Sequence, residues 1–317
     1  MSNWECNESP ADRHHNHHWP TGCMNCTTSD AERVFITRGV EENVRGDGRE
    51  KFDFRQVSIE DQVLPHLHGS SKVTIGNNDV LCSVKLSVDE PVVGALNSGV
   101  LDVCIDVSQH TNVRMDERNL HELGSNLAEV LKSVLIESDS LELEDLCIIP
   151  GKFCWVMHLD ILVLRYDGSI LDAASIAALN ALKVTKVPKV HRLIGESGME
   201  EDFEISGDLE EAVSIECARI PICITVAKIG DCLVLDPTSA ELACASGLLV
   251  VAIDREQTCC GMHKLLGGTF SIEDIAYAVQ IAAEAAAEIH SQIDVIFAES
   301  EKSLYPELPP QRIGLLA

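Results

Sequence analysis

From Leu233 to Ile253 the chain reads Leu-Val-Leu-Asp-Pro-Thr-Ser-Ala-Glu-Leu-Ala-Cys-Ala-Ser-Gly-Leu-Leu-Val-Val-Ala-Ile. Two apolar, strand-like runs flank an Asp-Pro-Thr turn and a short Glu-bearing connector. Aromatic residues make up only 4% of the chain, so the core behind such strands must be built from Leu, Ile, Val and Ala. At 317 residues there is room for two modest domains, or for one large domain with a tail.

The net charge of −27 limits the partners. Contacts to nucleic-acid phosphates need Lys and Arg, and a uniformly acidic monomer repels RNA. Either the chain does not bind RNA or neighbouring subunits supply most of the positive field. The most one-sided segment, Glu196 to Glu216, holds many acids and no Lys or Arg, and is expected to be a solvated loop. Of 13 cysteines, Cys82, Cys104, Cys154, Cys223 and Cys232 sit in apolar strand-like runs, where free cysteine acts as a small hydrophobe. Reduced thiols in the nucleus or cytoplasm are therefore expected rather than a disulfide framework. No apolar stretch approaches the roughly 20 residues that cross a bilayer. The N-terminus lacks the layout of a signal peptide, so neither a membrane nor export is expected.

Residues 1–29 mix His14, His15, His17, His18, Cys23 and Cys26 with polar residues and Pro, a composition read as a disordered tail. No second cysteine pair follows at zinc-knuckle spacing, so no metal is assigned. Ser29-Asp-Ala-Glu32 opens a short helix from Glu32 to Asn43. Arg45-Gly-Asp-Gly-Arg49 then precedes a strand near Phe54–Ile59. A hairpin follows over residues 69–86 around an Asn-Asn-Asp turn, then an alternating strand, Leu101–Val107. Leu120, Leu123, Leu127, Val130, Leu131 and Val134 form one face of a helix. A strand over 153–164, a turn at Asp167-Gly168 and a helix from Asp172 to about Leu182 follow. Further strands are expected near Pro221–Lys228, Cys232–Leu235 and Leu248–Ile253. A long helix from Thr269 to about Ser300 carries Ile272, Ile275, Val279, Ala282, Ala286, Ile289, Ile293 and Ile296 as a core stripe.

Three segments carry a family resemblance. They are Arg-x-Asp-Gly-Arg ahead of a strand, Leu146-Cys-Ile-Ile-Pro-Gly-Lys152 with Trp155-Val and Asp167-Gly-Ser-Ile-Leu-Asp-Ala173, and the Asp236-Pro-Thr turn. Together they resemble the RNase PH-like exoribonucleases. The Leu-Cys-Ile block and the Glu32-Arg-Val-Phe-Ile…Gly39-Val-Glu-Glu start are similar to the non-catalytic ring subunits of the eukaryotic RNA exosome, specifically the one whose archaeal counterpart is the inactive ring subunit. The resemblance covers about residues 30–300. It implies an α/β fold of two related lobes, each a mixed sheet backed by helices. Domain 1 is placed at 30–190, an acidic linker at 191–216, domain 2 at 217–300 and a C-terminal tail at 301–317. Implied partners are other RNase PH-like ring subunits, cap subunits, associated nucleases, and RNA through the assembled complex. No cofactor is implied.

Active relatives carry two aspartates six residues apart, at positions matching Leu242 and Leu248 here. Leucine neither holds a metal nor moves a proton. Their phosphate-gripping arginine matches Ile170, within Gly168-Ser169-Ile170, and an alkyl chain cannot replace a bidentate guanidinium. The resemblance therefore implies a chain without catalytic residues, working as a structural subunit that helps form the RNA channel. The alternatives are an active phosphate-dependent 3′-to-5′ exoribonuclease and an acidic adaptor outside the ring. Arg114 and Arg118, in the loop before the first long helix, are the RNA-facing candidates. Glu129 stands where the resemblance implies an arginine. His158 with Asp160 suggests acid–base work less than a satisfied histidine, and Cys259-Cys260 suggests packing more than redox chemistry. Asp236 is read as structural.

Overall fold

A computed structural model describes residues 28–92, 94–108, 117–138, 140–194, 200–208, 211–217 and 219–304. Arg114, the Cys23/Cys26 pair and nearly all of the expected N-terminal tail lie outside the described residues. In the first lobe, helix α1 (Asp30–Glu41) leads to strands β1 (Val57–Asp61), β2 (Gly69–Ile75), β3 (Asn78–Asp89) and β4 (Val100–Val107). Helix α2 (Glu117–Glu137), strands β5 (Cys147–Ile149) and β6 (Phe153–Arg165) and helix α3 (Ile170–Val184) follow. The connecting region holds β7 (Lys186–Val187), β8 (Val190–Ile194), β9 (Glu200–Ile205) and β10 (Val213–Ser214). The second lobe contains β11 (Ile222–Ile229), β12 (Cys232–Leu235), the short helix α4 (Ser239–Leu242), β13 (Gly247–Ile253), β14 (Cys259–Leu266) and the long helix α5 (Ile272–Leu304).

The first sheet runs β1-β2-β3-β6-β4, with β5 also on β6, and it is mixed because β4 pairs parallel to β6. The second runs β12-β11-β13-β14 and is antiparallel at every pairing. The expected α/β fold is present; only the second sheet departs from the mixed pattern, because hairpin-like returns join its strands. Helices α2, α3 and α5 lie between the sheets: α3 touches β2 and β3 on one side and β11 on the other, and α2 bridges β4 and β14. Position 3.6-fold spacing explains α2, whose expected face is buried in full. Helix α3 is buried from Ile170 to Leu182, and its many alanines let the two sheets approach it closely. At Gly69 any Cβ would run into the Ala181 carbonyl and the Thr185 hydroxyl, so β2 can lie this close only with glycine there.

Three expectations change. The acidic segment is not a loop throughout: β9 pairs antiparallel with β8, and Val213–Ser214 pairs with β7. Asp202 and Glu204 stay outside while Phe203 packs edge-on against Phe153 with ring centroids 5.1 Å apart, which gives the strand an apolar anchor. Ile272, expected in the core stripe of α5, is 87% exposed because the helix begins there, beyond the sheet it covers further along. Cys104 is exposed and Cys232 only half-buried, whereas Cys82, Cys154 and Cys223 are buried; strand alternation turns Cys104 to the outer face of the first sheet.

The lobes are joined by charge as well as by packing. Arg45, 3% exposed, donates to Glu241 from Nε (2.8 Å) and Nη2 (2.5 Å), and to the carbonyls of Leu235 and Asp236 at 3.0 and 2.9 Å. Removing one partner of such a buried pair leaves the other charge desolvated and alone. Arg45→Met is expected to cost about 3–5 kcal/mol in chemical denaturation, far more than loss of an exposed pair such as Lys189–Glu211.

Candidate functional site

The site is assembled where the end of β6 meets the turn after β12. Gly168, at φ 102°, lies so close to the Pro237 carbonyl that a side chain could not fit. Ser169 caps α3 by position without a side-chain cap bond and instead donates from Oγ to the Pro237 carbonyl at 3.4 Å. On the facing turn, Thr238 and Glu241 form a capping box: the Thr238 Oγ1 accepts from the Glu241 N–H, and Glu241 Oε2 accepts from the Thr238 N–H at 2.8 Å. The Thr-x-x-Glu spacing that produces this helix is legible in the sequence, yet the expectation there was only a connector.

Asp236, fully buried and held at φ 44°, is the hub. Its carboxylate accepts from Arg55 Nε (2.7 Å) and Nη2 (2.6 Å), from Arg49 Nη1 (3.1 Å) and from the Arg55 N–H (3.1 Å). The structural reading of Asp236 therefore holds. Arg55 was not singled out by sequence reasoning; a lone arginine after a turn carries no signal of its own. Asp167 accepts from Ser239 Oγ (2.8 Å) and Asn77 Nδ2 (3.0 Å) and pairs with Arg55 at 3.7 Å. Burial opposes ionisation of Asp167, but these hydrogen bonds and the Arg55 charge outweigh it and hold its pKa below the ordinary value.

The three positions that the resemblance assigns to catalysis are brought together. Ile170, Leu242 and Leu248 line one cavity of about 20 Å³, with Leu123, Leu127 and Leu265 completing its apolar wall. They are 5%, 5% and 3% exposed. A space of this size admits about one water molecule, with no room for a tetrahedral phosphate. The polar side chains at its edge are engaged elsewhere: Thr225 donates from Oγ1 to Asp172 at 2.5 Å, and Ser169 to Pro237. Glu241 and Asp236, the carboxylates flanking the connector, are held by arginines. Among the described residues, no group of three or more His, Cys, Asp or Glu side chains is placed to hold a metal ion.

The other candidates fall apart from it. Arg118 is not in a loop but exposed in the first turn of α2, because the helix begins at Glu117, earlier than the apolar stripe suggests. Glu129 is exposed on the same helix. His158 pairs with Asp102 across β4 (3.4 Å) and with Ser87 across β3 (2.9 Å), not with Asp160. The ring is satisfied, as expected. Ser87, His158 and Asp102 thus stand in line across three neighbouring strands. Cys260 is half-buried at the start of β14 while Cys259 is exposed, against the packing expectation, since it lies at the strand's open end. Burial raises the pKa of both thiols, which works against a reactive thiolate. Among the described residues, no helix is long and apolar enough to cross a membrane.

Residues 53–188 match domain 1 of the 3′ exoribonuclease family, RNase PH, and residues 219–285 match its domain 2. The chain belongs to this family. It is 34% identical over 261 residues to the exosome complex component Rrp42 of Pyrococcus furiosus, covering 82% of this chain and 92% of that one. To the Rrp42 component of Thermococcus onnurineus it is 32% identical over 261 residues, 82% of this chain and 93% of that one. The fold matches a chain of the Archaeoglobus fulgidus exosome with RNA bound to the active site, at a TM-score of 0.71, 24% identity and coverage of 83% and 98%. Two RNase PH lobes account for the paired sheets described above.

Asp172, wholly buried on α3 beside Thr225, provides a pH probe of this region. Burial, then the charge of Asp236, pushes its carboxyl well above the ordinary value of 3.8. The folded state therefore binds this proton more tightly than the unfolded chain. The resulting stabilisation is full below pH 3.8 and is lost as pH rises towards the folded pKa. Asp172→Asn, which keeps the Thr225 contacts, is expected to match the wild type in acid and exceed it in stability at neutral pH. Denaturation curves over that range measure the divergence.

Proposed function

We propose that this chain is a non-catalytic structural subunit of the RNA exosome core ring, supporting 3′-to-5′ RNA processing and degradation by helping to form the RNA channel. The observation that carries this reading is the convergence of Ile170, Leu242 and Leu248 on one small, largely apolar cavity. Support for the ring comes from relatives named Rrp42 that align along nearly their whole length. The proposal extends to rRNA maturation and mRNA turnover and surveillance, in nucleus, nucleolus and cytoplasm, with other RNase PH-like subunits, cap subunits and nucleases as partners. With a net charge of −27, the chain depends on its neighbours for most of the positive field along an RNA path. Arg118, exposed at the start of α2, is its own proposed contribution.

Purified protein supplied with phosphate, magnesium and oligo(A) is expected to release no nucleoside diphosphate above background. Release that disappears when residues of this chain are changed would overturn the proposal. In a reconstituted ring, Arg118→Glu is expected to leave assembly intact and to flatten the log–log salt dependence of RNA binding by about one unit. An adaptor acting outside the ring would instead show a native mass that excludes the other subunits.

A further inference from the structure

A larger cavity, of about 450 Å³, opens between the segment ahead of β5 and the connecting strands β7, β8 and β10. Leu146, Ile148, Trp155, Met157, Val190 and Ile215 give it an apolar wall. Its volume lies within the roughly 300–1,000 Å³ of ligand sites. Trp155 is 5% exposed, and its indole N–H, which can only donate, has no acceptor among the described residues. The nitrogen is not sealed into the core either, so this donor is left to the cavity. A buried indole ordinarily finds a partner for its N–H; here the partner must come from an occupant. Val213 of β10, at the mouth, is 61% exposed. Strand β10 pairs only with β7, so one of its edges is open.

The charge at the mouth is one-sided once existing pairs are set against each other. Lys189 faces Glu211 at 3.8 Å, and Glu211 also faces His191 at 3.7 Å. Arg192 has a partner of its own. Glu142 and Asp145, both exposed where the segment ahead of β5 lines the mouth, meet no cation at salt-bridge distance among the described residues. An occupant that complements these features brings an apolar side chain to the wall, a carbonyl to the indole, and Lys or Arg to the two carboxylates. An anion is repelled by the same carboxylates. An extended peptide supplies all three groups together, and the open edge of β10 suits pairing with its backbone.

We propose that this cavity docks an extended segment of a partner protein in which bulky apolar residues are flanked by Lys or Arg. The proposal uses none of the residues on which the ring reading rests, so its failure would leave that reading untouched. In the full chain, Trp4→Phe/Trp19→Phe leaves Trp155 as the sole tryptophan, and its fluorescence reports a titration. The probe Ac-Arg-Leu-Leu-Arg-NH2 is expected to bind about tenfold more tightly than either Ac-Glu-Leu-Leu-Glu-NH2 or Ac-Arg-Ala-Ala-Arg-NH2. Glu142→Gln/Asp145→Asn is expected to weaken the basic probe about tenfold. Its melting temperature should match the parent's, because both side chains are exposed. Trp155→Phe, followed by calorimetry, is expected to weaken the probe about fivefold through the lost donor. No binding of the basic probe at millimolar concentration, equal binding of the acidic or alanine probe, or binding unchanged in these variants would each overturn the proposal. Tighter probe binding in Leu315→Asp/Leu316→Asp would assign the cavity to this chain's own C-terminal segment and overturn it as well.

Discussion

A fully buried carboxylate, Asp236, at the start of the Asp-Pro-Thr turn, requires positive charge to be brought to it, and the chain brings Arg49 and Arg55 from the other end of the sequence. Arg45, buried beside them, does the same for Glu241. Desolvating a carboxylate without a partner is far costlier than burying it paired, so the segment before β1 must close over the second lobe for either lobe to reach its final form. This fixes the approach of the β6–α3 turn to the β12–α4 turn, where Gly168 leaves no space for a side chain. The alanine-rich α3 then fills the narrow gap between the sheets.

The same arrangement decides what the site can do. The acids near the connector are structural, each locked into arginine or backbone contacts, and the positions where the family resemblance implies reactive groups are aliphatic. Leu242 and Leu248 extend a small apolar cluster with Val40, Ala227, Ile229 and Val234, while Ile170 belongs to the main core. A region shaped for phosphate chemistry would need charge and open space. Here the space is about 20 Å³ and its wall is mostly hydrocarbon.

Much of this was legible in the sequence because its signals are local. The α2 stripe, the Asn-Asn-Asp hairpin, the Ser29 cap and the run of β6 are each set by periodicity or turn chemistry over a few residues. What was missed depends on partners distant in sequence. Arg55 gains its meaning from Asp236, 181 residues away. His158 takes Asp102 and Ser87 from neighbouring strands because strand order, not spacing, sets its contacts. The β9 strand was hidden by its acids, since one anchoring pair, Phe203 on Phe153, outweighs a composition that reads as a loop. At Cys104 the apolar run suggested burial, but a strand with one open face turns alternate residues outward.

The central claim is that the positions matched to catalytic aspartates have become core. The most direct test is the equilibrium stability of Leu242→Asp/Leu248→Asp, measured with the phosphorolysis rate of the same protein. Two carboxyls placed at these buried, largely aliphatic positions have no cationic partner, so a loss of several kcal/mol, on the order of 3 or more, and no activity are predicted. A double variant as stable as the wild type that releases nucleoside diphosphate from RNA would contradict the account.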